Sequence, residues 1–312
     1  MNRFLIAAPQ DLQLETNTSC NGKCIFCEYP KMKRHGTAKW SNLIDLMYWY
    51  VPKVRHVTPF GMQEPFLEPR LNAILANIKQ FNQHAETVVY SNMTVYNEDV
   101  MTELVKQQCL DKLCISFYGT TKKAYNTLQP GFDYKQTQQN IKKFMKLRKR
   151  LGWRKPLTSL HLLITPETMN DANKFMRKWR PIVDTAGFVR KDSWTGTQQY
   201  DPILEMRLWG APSKERFPCH RLWTSLVIRF DGSVVPCCLD AHNSIPLGNA
   251  FNNHDAFNSP ELQTIRKMHL EGKQNEISLC KNCSVWRYET PQEWKQYWLT
   301  QKIAPTAVTP CI

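Results

Sequence analysis

The chain has 312 residues and a formal net charge of +14, with 42% hydrophobic and 22% charged residues. This balance is typical of globular proteins and excludes an intrinsically disordered chain, and no apolar run reaches the roughly 20 residues that a membrane-spanning helix needs. The 11 cysteines are an odd number, and the N-terminus is not interpreted as a secretion signal, so a disulfide framework is not expected. The expected compartment is the cytoplasm.

The first two thirds of the chain are predicted to alternate strands with helices. The predicted strands are 12–15, 54–58, 86–91, 112–117, 157–164 and 187–191. The predicted helices are 41–50 with Ser41 as N-cap, 70–81, 97–108, 134–151 and 170–178. Such alternation is typical of parallel βαβ units, and about six of them indicate a partial (β/α)6 barrel with its active site at the C-terminal ends of the strands.

The pattern changes after about residue 200. Three prolines, at 202, 212 and 218, indicate a linker. A hairpin with strands at 226–229 and 233–235, turned by Asp231-Gly232, and a helix at 260–271 follow. We therefore predict three parts: a barrel over 1–205, a small β-hairpin-plus-helix domain over 213–290, and a C-terminal helix and tail over 291–312.

The first cysteine group, Cys20, Cys24 and Cys27, directly follows the first predicted strand with the spacing C-x3-C-x2-C. Three thiolates in one compact loop can hold three irons of a 4Fe–4S cluster and leave the fourth iron open. A structural zinc site usually has four ligands, commonly from two C-x2-C pairs. The spacing therefore favours an open 4Fe–4S cluster, with zinc and unrelated buried cysteines as weaker alternatives.

The segment from Glu15 to Cys27, ETNTSCNGKCIFC, resembles the signature loop of the radical S-adenosylmethionine (radical SAM) enzymes. The segment GMQEP at 61–65 is similar to the family's Gly-Gly-Glu-Pro segment, which holds the methionine amino group, although Met62 and Gln63 stand where the two glycines would be. The resemblance implies a set of cofactor-binding residues: Phe26, Gly61, Gln63, Glu64, Ser91, Asn92 and Ser116. The last three could instead be ordinary strand-end turn residues.

The second cysteine group comprises Cys219, Cys237, Cys280 and Cys283. The hairpin can bring the first two together, and the C-x2-C pair supplies two more, so the four thiolates make a closed site for zinc or for a 4Fe–4S cluster. The spacing resembles the start of a SPASM domain, and since only Cys311 follows, it resembles the shorter twitch version with one auxiliary 4Fe–4S cluster.

Cys238 follows Cys237 directly, and neighbouring side chains of an extended strand face opposite ways, so both sulfurs cannot easily reach one metal. Three roles stay open for Cys238: a core thiol, an alternate ligand, or a hydrogen-atom donor to a substrate radical.

The resemblance implies a radical SAM oxidoreductase with S-adenosylmethionine and two 4Fe–4S clusters, one open and one auxiliary. Such an enzyme cleaves S-adenosylmethionine reductively to a 5′-deoxyadenosyl radical, which abstracts a hydrogen atom. The expected substrate is a small polar molecule, aminocyclitol-like or sugar-like, and the expected electron donor is a flavodoxin or ferredoxin. One alternative is a ribosomal-peptide epimerase or cross-linking maturase. Another is a zinc- or nucleic-acid-binding module without catalysis, which the basic pI of 9.3 would suit. Neither a membrane nor a nucleic acid is an expected partner.

Overall fold

The computed structural model describes residues 8–199, 201–213 and 215–287, and the chain divides into two compact units. The larger unit comprises 11–191 with the short segment 229–231, and the described part of the smaller unit comprises 8–10, 192–199, 201–213, 215–228 and 232–287. The predicted C-terminal helix and Cys311 lie outside the described residues. Among the described helices, none combines the length and the apolar character that crossing a membrane requires.

The larger unit is built on six parallel strands in sequential order. The strands are β1 (Asp11–Leu14), β2 (His56–Thr58), β3 (Glu86–Ser91), β4 (Lys112–Ser116), β5 (Leu157–Leu163) and β6 (Thr185–Val189). The helices are α1 (Trp40–Tyr50), α2 (Leu71–Phe81), α3 (Glu98–Gln107), α4 (Lys122–Leu128), α5 (Tyr134–Arg150) and α6 (Ala172–Trp179). The predicted parallel α/β fold class is thereby confirmed.

Sequential strands joined by right-handed crossovers carry all their helices on one face of the sheet. The side chains on that face form the core, and they include Leu12, Val57, Val89, Leu113 and Leu160, each at most 1% exposed. The alternate residues of the strands point to the opposite face, which is less buried and more polar. Four residues of this opposite face recur below, and we refer to them together as the open face: Tyr90, Ser116, Ser159 and His161.

Two helix predictions were wrong or missing in the larger unit. Helix α1 begins at Trp40 with Lys39 in the N-cap position and no side-chain cap, so Ser41 already lies inside the first turn. Helix α4 was not predicted, although Thr121 caps it by accepting a hydrogen bond from the Ala124 N–H at 3.1 Å.

The smaller unit contains a hairpin and four helices among its described residues. These elements are α7 (Pro202–Trp209), α8 (Arg221–Thr224), β7 (Ser225–Ile228), β8 (Val234–Val235), α9 (Pro260–Leu270) and α10 (Ser278–Lys281). The antiparallel hairpin pairs Val227 with Val235. Gly232 has a φ of +81°, and a Cβ there would lie 2.5 Å from Asn249 Oδ1, so the turn requires glycine.

Helix α7 stands where a linker was predicted. The Asp201 side chain accepts hydrogen bonds from the N–H groups of Ile203 and Leu204, each at 3.0 Å, and Pro202 occupies the first turn. Proline at this position supports helix initiation because its missing N–H would have no partner inside the helix. The proline interpreted as a linker signal therefore starts a helix.

Candidate functional site

The predicted site residues of the larger unit follow the C-terminal ends of four adjacent strands. The cysteine loop follows β1, Glu64 follows β2, Ser91 ends β3 with Asn92 directly after it, and Ser116 ends β4. In a parallel sheet these ends share one edge. The residues predicted from separate motifs are thus brought to one region of the unit.

The cysteine loop after β1 groups the sulfur atoms of Cys20, Cys24 and Cys27. A Cβ on Gly22 would lie 3.5 Å from Sγ of both Cys20 and Cys24, so those two sulfurs flank the same glycine. Backbone N–H groups donate to the sulfurs: Gly22 to Cys20 at 3.4 Å and Tyr29 to Cys27 at 3.4 Å. The loop therefore supports the charged thiolate form that iron binds.

Burial raises the pKa of Cys20 and Cys24 to about 12, and it also raises the pKa of Cys27. Repulsion between the thiolates adds to this effect, since Cys24 interacts with both neighbours. Three buried thiols in one loop therefore favour a cation that takes the place of their protons. The donor set of this loop fits an iron–sulfur cluster.

Glu64 connects the loop after β2 with the end of β3. Its carboxylate accepts hydrogen bonds from the Ser91 hydroxyl at 2.7 Å, the Asn92 N–H at 2.8 Å and the Phe66 N–H at 3.2 Å. Burial raises the pKa of Glu64 to about 7. A cationic group arriving beside this carboxyl would favour its charged form.

Asn92 ties the end of β3 to the cysteine loop. Its side-chain N–H donates to Asn21 Oδ1 at 3.1 Å, and the Asn21 amide in turn donates to Thr94 Oγ1 at 2.8 Å. Asn21 lies directly after Cys20, so this pair fixes the loop at the first cysteine. Both Ser91 and Asn92 thus have partners inside the candidate site.

The segment at Gly61 and Gln63 packs against the chain just after β1. Gln63 donates from its side-chain amide to Thr16 Oγ1 at 3.0 Å and accepts from the Asn17 N–H at 3.2 Å. The two residues that replace the expected glycines are therefore built into the protein interior, with Met62 8% exposed. Gly61 itself lies against Glu15, where an added Cβ would be 2.4 Å from Oε1.

Gly61→Ala is expected to destabilise the protein by about 1–3 kcal/mol through overpacking. The added methyl group would meet the Glu15 carboxylate, which is 0% exposed and cannot move into solvent. Urea unfolding measures the effect. Gly187→Ala in β6 is the matched control, because an added Cβ there has nothing within 4 Å, and its change should stay within about 0.5 kcal/mol. Equal stabilities for the two variants would contradict the close contact.

Ser116, at the end of β4, belongs to a small polar and aromatic group. The Tyr118 hydroxyl donates to Ser116 Oγ at 3.0 Å, and burial raises the pKa of Tyr118 to about 12. The Tyr118 ring meets the Phe26 ring edge-on, with 5.0 Å between centroids. Phe26 is thereby placed beside β4, in the same group as Ser116.

Gln129, at the end of α4, is a site residue that the sequence analysis missed. Its side chain accepts from the Tyr118 N–H at 2.9 Å and donates to the Ser116 carbonyl at 3.2 Å, and it interacts with the Cys24 sulfur. The N-cap at Thr121 was the available sequence signal for this helix.

Glu15 was also missed as a structural anchor. Arg34 binds its carboxylate with two N–H groups, one of them at 2.9 Å from Oε1, and the Met62 N–H donates to the same carboxylate at 3.2 Å. A bidentate arginine pair with a buried carboxylate fixes geometry as well as charge. Glu15 thus joins the start of the cysteine loop to the segment that follows β2.

The second cysteine group lines a cavity inside the smaller unit. The cavity encloses about 50 Å³, and Cys219, Cys237, Cys280 and Cys283 all contribute to its wall. Burial raises the pKa of Cys219, Cys280 and Cys283 above the ordinary thiol value. The remaining wall is largely apolar, with the side chains of Phe217, Leu222, Pro236, Leu239, Ile265, Ile277, Leu279, Val285 and Trp286.

Four thiols around one apolar cavity suit a closed 4Fe–4S cluster, in which each thiolate binds a different iron. In the described parts of both units, no group of three or more His, Cys, Asp and Glu side chains converges closely enough for a single metal ion.

Cys238 is held by an arginine of the same unit. Arg221 donates from Nη1 to Cys238 Sγ at 2.8 Å, and Arg221 also lines the cavity. A guanidinium in this position favours the thiolate.

Comparison with protein families gives two matches. The model described as the Radical SAM superfamily matches residues 14–178, more than half of the chain. The SPASM model, an iron–sulfur cluster-binding domain, matches residues 219–284. The two models cover both cysteine groups described above.

One curated protein is similar in sequence. The S-adenosyl-L-methionine-dependent 2-deoxy-scyllo-inosamine dehydrogenase of Niallia circulans is 29% identical over 124 residues, which are 38% of this chain and 50% of that protein. The match therefore spans half the length of the curated relative.

Solved structures share the fold over most of the chain. BtrN in complex with AdoMet and 2-DOIA has a TM-score of 0.61 at 17% identity, covering 92% of this chain and 98% of that chain. SuiB of Streptococcus suis bound to precursor peptide SuiA has a TM-score of 0.63 at 15% identity, covering 89% and 71%. Native anSMEcpe with bound AdoMet has a TM-score of 0.61 at 16% identity, covering 93% and 96%.

Proposed function

We propose a specific oxidation for this chain, which belongs to the radical S-adenosylmethionine superfamily and is an enzyme that uses S-adenosylmethionine and 4Fe–4S clusters. The proposed reaction is the dehydrogenation of a carbinol in a small polar molecule of the aminocyclitol or sugar type. The alternative of a zinc- or nucleic-acid-binding module without catalysis is wrong, because the two family matches are to an enzyme superfamily and an iron–sulfur domain.

The site geometry supports a proposed assignment of residues to the cofactors. Cys20, Cys24 and Cys27 would hold the open cluster, and the four cysteines of the smaller unit would hold the auxiliary cluster. Glu64, with Ser91 and Asn92 as its hydrogen-bond partners, would face the methionine ammonium group. The group formed by Phe26, Ser116 and Tyr118 would lie beside the adenosyl part. Gly61 and Gln63 would act by shaping the loop that carries Glu64.

When bound, these cofactors supply a 5′-deoxyadenosyl radical that removes a hydrogen atom from the substrate carbon and an iron–sulfur centre that takes up one electron. The chain's own residues must then bind the substrate and accept the proton of the carbinol hydroxyl. Loss of one hydrogen atom, one proton and one electron converts the carbinol into a ketone.

The proposed substrate class rests on the polar side chains of the open face. Ser116 and His161 are register partners on β4 and β5, and Ser159 Oγ lies 2.8 Å from His161 Nε2. These half-buried side chains offer hydroxyl and imidazole groups, which suit a polyol or an amino sugar. Burial lowers the pKa of His161, so its imidazole is neutral at neutral pH and can accept a proton. The name of the curated relative supports the same substrate class.

The direct test incubates the reduced holoenzyme with S-adenosylmethionine and a panel that begins with 2-deoxy-scyllo-inosamine and related aminocyclitols and sugars. Mass spectrometry is expected to detect a ketone together with 5′-deoxyadenosine. If the enzyme leaves every compound of the panel unchanged but modifies a peptide, the peptide alternative replaces this proposal. The fold shared with SuiB does not by itself favour that alternative.

His161→Ala is expected to lower ketone formation roughly 100-fold or more, the usual contribution of a proton acceptor. Cleavage of S-adenosylmethionine without substrate should persist, because the His161 side chain is hydrogen-bonded to Ser159, which is not among the proposed cofactor-binding residues. His56→Ala is the control, since His56 lies on β2, largely exposed, paired with Asp11 at 2.8 Å. Full ketone formation by His161→Ala would remove this histidine from the mechanism.

The electron donor is proposed to be a small acidic flavodoxin or ferredoxin, because the net charge of +14 favours association with an acidic protein.

Hydrogen-atom donation by Cys238 stays a prediction of the sequence analysis. Normal turnover by Cys238→Ala would remove it.

A further inference from the structure

His269 lies near the end of α9, on the wall of the cavity that holds the second cysteine group. Its side chain is almost completely buried, at 2% exposure of the residue. It bridges two of the four cysteines: the Cys219 N–H donates to Nδ1 at 3.2 Å, and Nε2 lies 3.4 Å from Cys280 Sγ. The ring therefore connects ligands from separate segments of the chain.

The first contact fixes the tautomer of the ring. A backbone N–H can only donate, so Nδ1 must accept and carries no proton. A neutral imidazole with a bare Nδ1 carries its proton on Nε2, and that N–H is directed at the Cys280 sulfur.

We propose that His269 is a positioning residue that raises the reduction potential of the auxiliary cluster by donating an N–H···S hydrogen bond to Cys280. This inference rests on the proposed assignment of Cys219, Cys237, Cys280 and Cys283 as cluster ligands. Reduction adds negative charge to the cluster, and a donor at a ligand sulfur stabilises that charge. A higher potential makes the cluster a better acceptor for the electron that substrate oxidation releases.

Two arginines of the cavity wall act in the same direction. Arg216 donates to the Cys280 carbonyl at 2.6 Å, and Arg221 donates to Cys238 beside the ligand Cys237. Their positive charges favour the reduced cluster as well. His269 differs from both because it acts on a ligand sulfur and carries no charge, so its removal changes the hydrogen bond without changing the net charge.

The experiment uses full-length protein carrying Cys20/Cys24/Cys27→Ala, so that only the auxiliary cluster is reported. Redox titration followed by electron paramagnetic resonance is expected to give a lower midpoint potential for His269→Leu, with unchanged iron content. His269→Gln, which can keep an N–H donor, should recover part of the shift. His242→Leu is the control, because His242 is an exposed histidine of the same unit. An unchanged potential in His269→Leu with full iron content would overturn the inference.

A second measurement needs no substitution at His269. With 15N-labelled histidine, hyperfine spectroscopy of the reduced cluster should detect coupling to a histidine nitrogen, and its absence would overturn the inference even if both variants lost iron. Absence of any cluster in the Cys20/Cys24/Cys27→Ala parent would instead overturn the ligand assignment of the proposed function.

Discussion

Cys20/Cys24/Cys27→Ala is expected to lose all reductive cleavage of S-adenosylmethionine and half of its iron, falling from about eight irons per chain to about four. The three sulfurs lie in one loop after β1 and would hold the only cluster with an open iron. The retained iron should be that of the smaller unit, whose four cysteines line a separate cavity. Iron and sulfide analysis after oxygen-free purification, with 5′-deoxyadenosine assayed in the same samples, measures both effects.

Cys109→Ala is the matched control for this experiment. Cys109 belongs to the same unit, and its sulfur contacts the Gln107 carbonyl at 3.2 Å instead of the other cysteines. It should keep the iron and the cleavage of the wild type. A triple variant that still cleaves S-adenosylmethionine would contradict the assignment of the first cysteine group.

Cys280/Cys283→Ala is expected to retain the cleavage of S-adenosylmethionine and to lose the oxidation of the substrate. The variant should lose about four irons yet still form 5′-deoxyadenosine, because the cysteine loop of the larger unit is untouched. Formation of the oxidised product should fall to background, since no acceptor remains for the electron. Product analysis alongside 5′-deoxyadenosine measures the ratio of the two reactions.

Either of two results would contradict this second prediction. Normal oxidation by the variant would show that the electron leaves the substrate by another route. Zinc in place of iron at the second site of the wild type would remove the auxiliary cluster itself. Circular dichroism is needed beside both measurements, because Cys280 lies in the short helix α10 of the smaller unit and Cys283 follows that helix.

The parts of the fold that were predictable are those encoded by local pattern. Strand β3 was predicted with its observed bounds, Glu86–Ser91, because its sequence ETVVYS is rich in β-branched residues, which favour strands. The spacing of the first cysteine group and the segment around Glu64 were equally local, since each of these two motifs lies within one loop. Their position at the ends of successive parallel strands then followed from the fold class.

The missed features depend on contacts between distant segments. The partnership of Glu15 with Arg34, and of Gln129 with Ser116, cannot be read from either segment alone, because each polar residue resembles a surface residue until its burial is known. In the sequence, Gln63 is a departure from the glycine expected at its position. Its amide instead binds Thr16 and Asn17, a compensation visible only in three dimensions.

The hydrogen bonds that join the loops at the ends of β1, β2 and β3 have a consequence for binding affinity. Glu64 is hydrogen-bonded to Ser91 and Asn92, Asn92 is hydrogen-bonded to Asn21, and Gln63 is hydrogen-bonded to Thr16. The three loops therefore form one hydrogen-bond network. Immobilising a free side chain during ligand binding costs about 0.5–1.5 kcal/mol of conformational entropy. These side chains are already ordered in the folded protein, so little of this entropy is lost when a ligand binds. The free energy of each new contact with a ligand therefore contributes to affinity.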